Sequence, residues 1–208
     1  MKLQKALPPK LKTRVMISAA FFLFLYLPLT GQETYQQFFS RSLSTSNTGM
    51  YVLGSWAVVN IATGIYGWTK FEGDKKYFSQ MNFFWNTVNL SIAGIALYNN
   101  HNTNLSMMAA GDMIQKHMNL EKTLLINSGL DLGYIGTGFL LRHLSTTNEK
   151  RQDLLEGYGN SLILQGGFLL VFDAVMYGIL RSQRIDFMNN VSMALSSDQF
   201  LIRAGMNF

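Results

Sequence analysis

Four apolar segments, each separated from the next by a more polar stretch, constrain the fold of this chain most strongly. They comprise residues 49–68, 81–98, 122–142 and 157–180. Each is close to the roughly 20 residues that a helix needs to cross the hydrocarbon core of a bilayer. Their glycines do not argue against helices, because Gly is common in membrane helices. The sequence therefore predicts an all-α protein, a four-transmembrane-helix up-down bundle.

The charge content also favours a membrane protein. Charged residues make up 14% of the chain, against about 25% in soluble domains. Five basic residues precede the first acid, and removing them from the net charge of +5 leaves about zero, so a basic face for nucleic acid is not supported. The absence of cysteine excludes disulfides and thiolate metal sites.

Residues 1–31 have the layout of a secretory signal, a basic start followed by an apolar stretch at 15–29. A core of this length is at the upper end for a signal and short for a spanning helix. Cleavage after Gly31 leaves Leu29 at the third position back, where a small residue is preferred. We therefore expect a signal peptide or, as the alternative, an uncleaved anchor.

Two flanks border the predicted transmembrane domain, which spans residues 49–180. Residues 32–48 are polar with three aromatics, and we expect an exported linker or a short interfacial helix. The C-terminal tail, residues 181–208, ends in "FLIRAGMNF", whose alternation fits a strand. A β-hairpin and a loose tail are both compatible with this pattern.

The basic residues predict an orientation. The stretches 69–80 and 142–156 carry six Lys and Arg residues, whereas 99–121 carries one, Lys116. Because basic loops stay in the cytoplasm, we expect a multi-pass protein of the bacterial inner membrane. The N-terminus of the mature chain and the C-terminus then lie outside the cytoplasm.

Polar side chains recur at helical spacing inside the apolar segments. At 100° per residue, Asn127, Asp131 and Tyr134 share one face of the third segment. Asn82, Asn86 and Asn89 form a similar stripe in the second segment. An amide or carboxyl that faces lipid costs several kcal/mol, so we expect all the stripes to turn inward around a polar centre.

This centre is the candidate site for an ion, a proton or a small solute. The residues expected to line it are Asp131, Asn60, Asn86, Asn89, Asn127, Tyr134, Gln165 and Asp173. No Lys or Arg lies at the depth of Asp131, so its carboxyl is either protonated or faces a bound cation or water. An ionisable residue within a membrane is a functional candidate by default. The alternative is that these groups only hold the helices together.

Gly129 and Gly133 form a GxxxG pattern in the third segment. In membranes this spacing is typical of close helix contacts, within one bundle or between partners. We therefore expect helix packing through these two glycines, or a homo-oligomer or other membrane partner on that face.

Two pairs of stretches also align with each other. Residues 60–68 can be laid on 131–139, and residues 86–98 on 165–177. Each pair includes one polar match, Asn60 with Asp131 and Asn86 with Gln165. The alignment suggests two parallel helical-hairpin repeats.

Three stretches, "LGSWAVVNIATGIYGW", "KYFSQMNFFWNTVNL" and "GYGNSLILQGGFLLVFDAVMY", carry a resemblance across residues 49–180. There the chain resembles a family of uncharacterised small bacterial multi-pass membrane proteins. The resemblance implies no activity, cofactor or site residue.

Enzymatic signatures such as GxSxG, HExxH and a phosphate loop are missing. The histidines do not have metal-binding spacing, and we expect His101 and His117 to be solvated in the outer loop. The sequence therefore favours a non-enzymatic protein with no cofactor or metal. Its predicted role is to bind or pass an ion, proton or small solute, and the alternative is a structural or assembly subunit.

Overall fold

A computed structural model describes the chain backbone from residue 9 to 205 and the side chains of residues 35–192. The chain forms four helices, α1 (Pro9–Lys70), α2 (Gly73–His101), α3 (Ala110–Ser145) and α4 (Gln152–Gly205). Two short 3₁₀ turns, Leu105–Met107 and Glu149–Arg151, lie in the connections. No strand occurs in the described part of the chain, so the all-α prediction is confirmed.

The helices are longer than the apolar segments that predicted them. Residues 35–48, expected as a linker or a short interfacial helix, continue α1, and the backbone of the tail continues α4 as far as Gly205. Much of the expected loop 99–121 belongs to α2 and α3. The expected loop 69–80 shrinks to residues 71–72, followed by Gly73 at a φ of +60° that favours glycine. The predicted signal, residues 1–31, lies outside the fully described residues. Where the tail was expected to form a β-hairpin or to be loose, its backbone is helical as far as Gly205.

Three of the four helices are long and apolar enough to cross a membrane. These stretches are Tyr35–Lys70, Ala110–Ser145 and Glu149–Ser192. Their length and composition indicate a membrane protein. Helix α2 is less apolar because its buried face carries three asparagines.

The buried positions follow a spacing of three and four residues. In α2 they are Ser79, Asn82, Asn86, Asn89 and Ala93. In the transmembrane part of α1 they include Leu53, Ala57 and Asn60. This alternation is typical of a left-handed helix bundle whose seam residues face the neighbouring helices.

The bundle consists of two tight hairpins, α1–α2 and α3–α4. At the end that holds residues 71–72 and 146–151, here called the short-loop end, α2 packs against α4. There the Tyr158 hydroxyl donates to Gln80 at 3.1 Å. At the opposite end α1 meets α3, where Ser42 Oγ lies 2.8 Å from His117 Nδ1.

That opposite end has an apolar core of its own, here called the cap. Its buried residues are Phe38, Phe39, Met113 and Phe187. The rings of Phe38 and Phe187 stack with centroids 4.4 Å apart. Since this core joins α1, α3 and α4, it explains why these helices extend beyond their apolar segments.

Glycines permit the closest approach of α3 and α4. A Cβ atom on Gly138 would lie 2.7 Å from the backbone oxygen of Gly159, and the reverse distance is the same. A Cβ on Gly129, Gly133 or Gly136 would meet nothing within 4 Å. The prediction that Gly129 and Gly133 pack within the bundle is therefore wrong, because the close contact uses a different face of α3.

We predict that Gly138→Ala lowers the free energy of unfolding by about 1–3 kcal/mol, since the added methyl group forces two backbones apart. Thermal unfolding of the purified protein in detergent measures this change. Gly136→Ala is the matched control, because its methyl group meets open space and Ala favours a helix more than Gly does. Equal unfolding temperatures for the two variants would contradict the α3–α4 contact.

Candidate functional site

A network of amide side chains fills the bundle on the short-loop side of its middle, and Asn82 is its centre. Asn82 Nδ2 donates to Asn60 Oδ1 at 2.9 Å. Its Oδ1 accepts from Gln165 Nε2 and, at 3.2 Å, from Asn86 Nδ2. Since Asn86 and Gln165 are fully buried, these bonds replace water and join α1, α2 and α4.

Trp56 extends this network across the bundle. Its Nε1 donates to Gln165 Oε1 at 3.0 Å, and its ring stacks on Phe168 with centroids 4.0 Å apart. Its backbone oxygen accepts from Asn60 Nδ2 at 2.8 Å. The amides of Asn60, Asn82 and Gln165 are therefore paired with protein groups, which is the condition for burying them at low cost.

A cavity of about 500 Å³ lies between the two hairpins, on the cap side of the amide network. Asn89 lies in its wall and connects it to the network, donating to Asn86 Oδ1 at 3.5 Å. All four helices contribute to the wall, which is mainly apolar. Its polar and aromatic members are Ser46, Trp85, Asn89, Thr123, Asn127, Asp131, Tyr134, Phe172 and Asp173.

Two carboxyl groups, Asp131 of α3 and Asp173 of α4, lie together in the cavity wall. Their side chains are 2% and 4% exposed, and the two carboxyl groups interact with each other. They can share a hydrogen bond only when one of them carries a proton. Oδ2 of Asp131 has no hydrogen-bond partner among the described residues. No described Lys or Arg forms an ion pair with either acid.

Aromatic rings line the cavity near the acids. Trp85 of α2 meets Tyr134 of α3 edge-on, with centroids 4.6 Å apart. Nε1 of Trp85 is buried and has no acceptor among the described residues. The cavity therefore presents an unmatched donor as well as an under-paired carboxyl oxygen.

A second polar cluster lies between the cavity and the cap. His117 is fully buried, with Nε2 3.0 Å from the Leu180 backbone oxygen and 3.1 Å from Glu121 Oε1. Arg184 donates two hydrogen bonds to Glu121, at 2.7 and 3.0 Å. The prediction that His117 is solvated in a loop is wrong, because α3 begins at Ala110 and turns this histidine toward α1 and α4.

The structure divides the predicted site residues into two groups. Five line the cavity: Asn89, Asn127, Asp131, Tyr134 and Asp173. Asn60, Asn86 and Gln165 instead belong to the amide network. The sequence analysis placed Asn82 on the stripe of Asn86 and Asn89 but did not include it among the candidate site residues. It also gave no role to Trp85 or to the Glu121–Arg184 pair.

The described residues contain no group of three or more His, Cys, Asp or Glu side chains that could hold a metal ion. The cavity therefore has two carboxyls and two amides as its strongest polar groups. This arrangement can accept a proton or bind a small cation or organic solute.

A family model described as a family of unknown function, DUF6992, matches residues 52–174. This match covers more than half of the 208 residues. The chain belongs to DUF6992. No curated protein and no solved structure matches it. The DUF6992 region includes the amide network and both acids, whereas Ser42 and Arg184 lie outside it. The resemblance to bacterial multi-pass membrane proteins stays a prediction.

We predict that Asn82→Ala in this DUF6992 protein lowers the free energy of unfolding by about 1–3 kcal/mol, because the buried amides of Gln165 and Asn60 lose their partner. Unfolding in detergent measures the change. Asn99→Ala, an exposed position near the end of the same helix, is the control and should change stability little. Similar losses in both variants would argue against Asn82 as the centre of the network.

Proposed function

We propose that the chain is an integral membrane protein with four spans, of which α2 is the fourth. Residues 81–98 of α2 carry no charged side chain and pack between α1 and α4. The two neighbours cover the face that holds its asparagines. This arrangement lets a moderately apolar helix cross the bilayer without exposing amides to lipid.

The proposed orientation places the short-loop end in the cytoplasm and the cap outside it, in the inner membrane of a bacterial cell. The basic residues support this choice, since six of them flank the two short loops: Lys70, Lys75, Lys76, Arg142, Lys150 and Arg151. The 36 residues of α3 extend about 54 Å. The hydrocarbon core measures about 30 Å, so the cap projects beyond it. The ends of the mature chain lie on the cap side.

The proposed function is the binding or passage of a proton, an ion or a small solute at the Asp131–Asp173 pair. The observation that carries the proposal is Oδ2 of Asp131, which is buried in a cavity wall and has no hydrogen-bond partner among the described residues. A purely structural group is expected to be fully paired, as the amides are. Asn89, Asn127 and Tyr134 supply further polar contacts in the wall.

The test is reconstitution in liposomes that contain a pH-sensitive dye, with proton uptake and ²²Na⁺ binding measured for wild type and Asp131→Asn. We expect Asp131→Asn to reduce the wild-type signal at least tenfold, because an amide can neither take up a proton in this pH range nor carry a negative charge. Asp112→Asn, an exposed acid in the first turn of the same helix, should leave the signal unchanged. If all three proteins behave alike, the proposal fails.

A structural or assembly subunit is the second candidate, and the open face of Gly129 and Gly133 favours it. A Cβ there would meet nothing within 4 Å, so another membrane helix can approach closely. In this reading the partner is a second copy of the chain or a different membrane protein. The amide network then only fixes the helix register.

For this second candidate we predict that Gly133→Leu abolishes a complex captured by crosslinking in the membrane, because the leucine side chain holds the partner helix away. Gly178→Leu is the control, an open glycine on α4 that lies on a different helix. Loss of the complex in both variants, or in neither, would contradict a partner face at Gly133. Asp131→Asn should then lower thermal stability without changing any solute measurement.

A further inference from the structure

The cavity wall combines acidic and apolar groups, and this combination restricts the chemical class of ligand that it can bind. Asp131 and Asp173 lie in its wall, and much of the remaining wall is apolar, including Leu53, Leu169 and Met176. When one of these two carboxyls is ionised, it carries a negative charge. None of the described Lys or Arg side chains lines the cavity to balance it.

We infer that the cavity binds an organic amine in its protonated form, with the ammonium group at Asp131 and Asp173 and the apolar body along the cavity wall. This inference rests on the proposed function, because it assigns a ligand class to the same site. A protonated amine supplies one positive charge and up to three hydrogen-bond donors. It therefore balances the charge and gives Oδ2 of Asp131 the donor that the described protein groups lack.

An inorganic ion fits the wall less well. A hard cation such as Ca²⁺ takes about six to eight oxygen ligands, and the described residues hold no cluster of three or more acids or histidines. The apolar side chains would displace water from such an ion without supplying ligands to replace it. The same side chains stabilise an organic body by removing it from water.

The rings of the cavity support a cationic ligand as well. Trp85, Tyr134 and Phe172 all contribute to the wall. Aromatic faces attract cations that lie within about 6 Å of the ring centre. The free Nε1 of Trp85 adds a donor for an oxygen elsewhere on the ligand.

The size and the opening of the cavity fit this class of ligand. Its volume of about 500 Å³ lies within the roughly 300–1,000 Å³ of sites for small organic molecules. On α2 and α3 the rim includes Val88, Ile92 and Leu130, which are 59%, 51% and 51% exposed. Next to it lies a smaller, more polar recess of about 250 Å³ that shares Leu120 and Thr123 with the cavity. The cavity is therefore reached from the side between α2 and α3.

The test uses three probes with one carbon skeleton: 4-phenylbutylamine, 4-phenylbutanol and 4-phenylbutyrate. Binding to the full chain in phosphatidylcholine nanodiscs is measured by titration calorimetry, with empty nanodiscs as the baseline. We expect saturable binding of the amine, at least tenfold weaker binding of the alcohol and none of the carboxylate. Asp131→Asn should weaken amine binding at least tenfold and change alcohol binding less than twofold.

A second variant keeps the test decisive if Asp131→Asn does not fold. Ala96→Phe fills the cavity without touching the acids and should abolish binding of the amine. Asp112→Asn should bind the amine as wild type does. Nanodiscs that also contain phosphatidylethanolamine distinguish two sources of the amine. If this lipid competes with the probe, the site binds a lipid headgroup. If it does not compete, the site binds a free amine.

The outcomes distinguish this inference from the function on which it rests. Two results would reject the amine as the ligand but keep the proposed site at Asp131 and Asp173. One is equal binding of the amine and the alcohol. The other is no amine binding while the proton or sodium signals still depend on Asp131. If neither the amine nor the proton and sodium measurements respond to Asp131→Asn, both proposals are overturned.

Discussion

The need to pair amide groups that cannot reach water governs this structure. Asn82 bonds to Asn60, Asn86 and Gln165, and these partners come from α1, α2 and α4. A shift of α2 by one residue would turn Asn82 away and leave several buried donors and acceptors without partners. Apolar side chains tolerate such shifts far better, so the polar seam fixes the register of the bundle more strictly than an apolar seam does.

The two halves of the bundle satisfy this requirement differently. Toward the short-loop end, amides pair with amides and glycines let backbones approach, so the helices are closely packed. Toward the cap, Glu121 and Arg184 pair with each other and His117 bonds to Leu180. Among the described residues, the layer between them, at Asp131 and Asp173, is the one that combines a cavity with an unpaired polar atom. The paired groups on either side therefore stabilise the fold, whereas the two acids are the candidates for binding a ligand.

The sequence predicted the inward face of each helix well, because a polar side chain in an apolar segment avoids a large free-energy cost only when it faces the other helices rather than lipid. Asp131, Asn89 and Gln165 are all buried for this reason. The expectation that Gly129 and Gly133 pack within the bundle was wrong, because GxxxG spacing indicates that some helix approaches closely but not which helix or which face. His117 was missed because a polar stretch was taken as a loop. Its helical period of buried residues, shared with Met113 and Glu121, becomes evident only once the cap core is known.

The cavity itself follows from how the two hairpins cross. At the short-loop end the α1–α2 hairpin contacts its partner through α2, where Tyr158 reaches Gln80. At the cap it does so through α1, where His117 reaches Ser42. The contact with the α3–α4 hairpin therefore passes from α2 to α1 along the bundle. In the middle neither α1 nor α2 packs fully against that hairpin, so the two hairpins separate there. No single residue encodes this space, so it could not be predicted from side-chain patterns alone. Asp131 lies in the wall of this space.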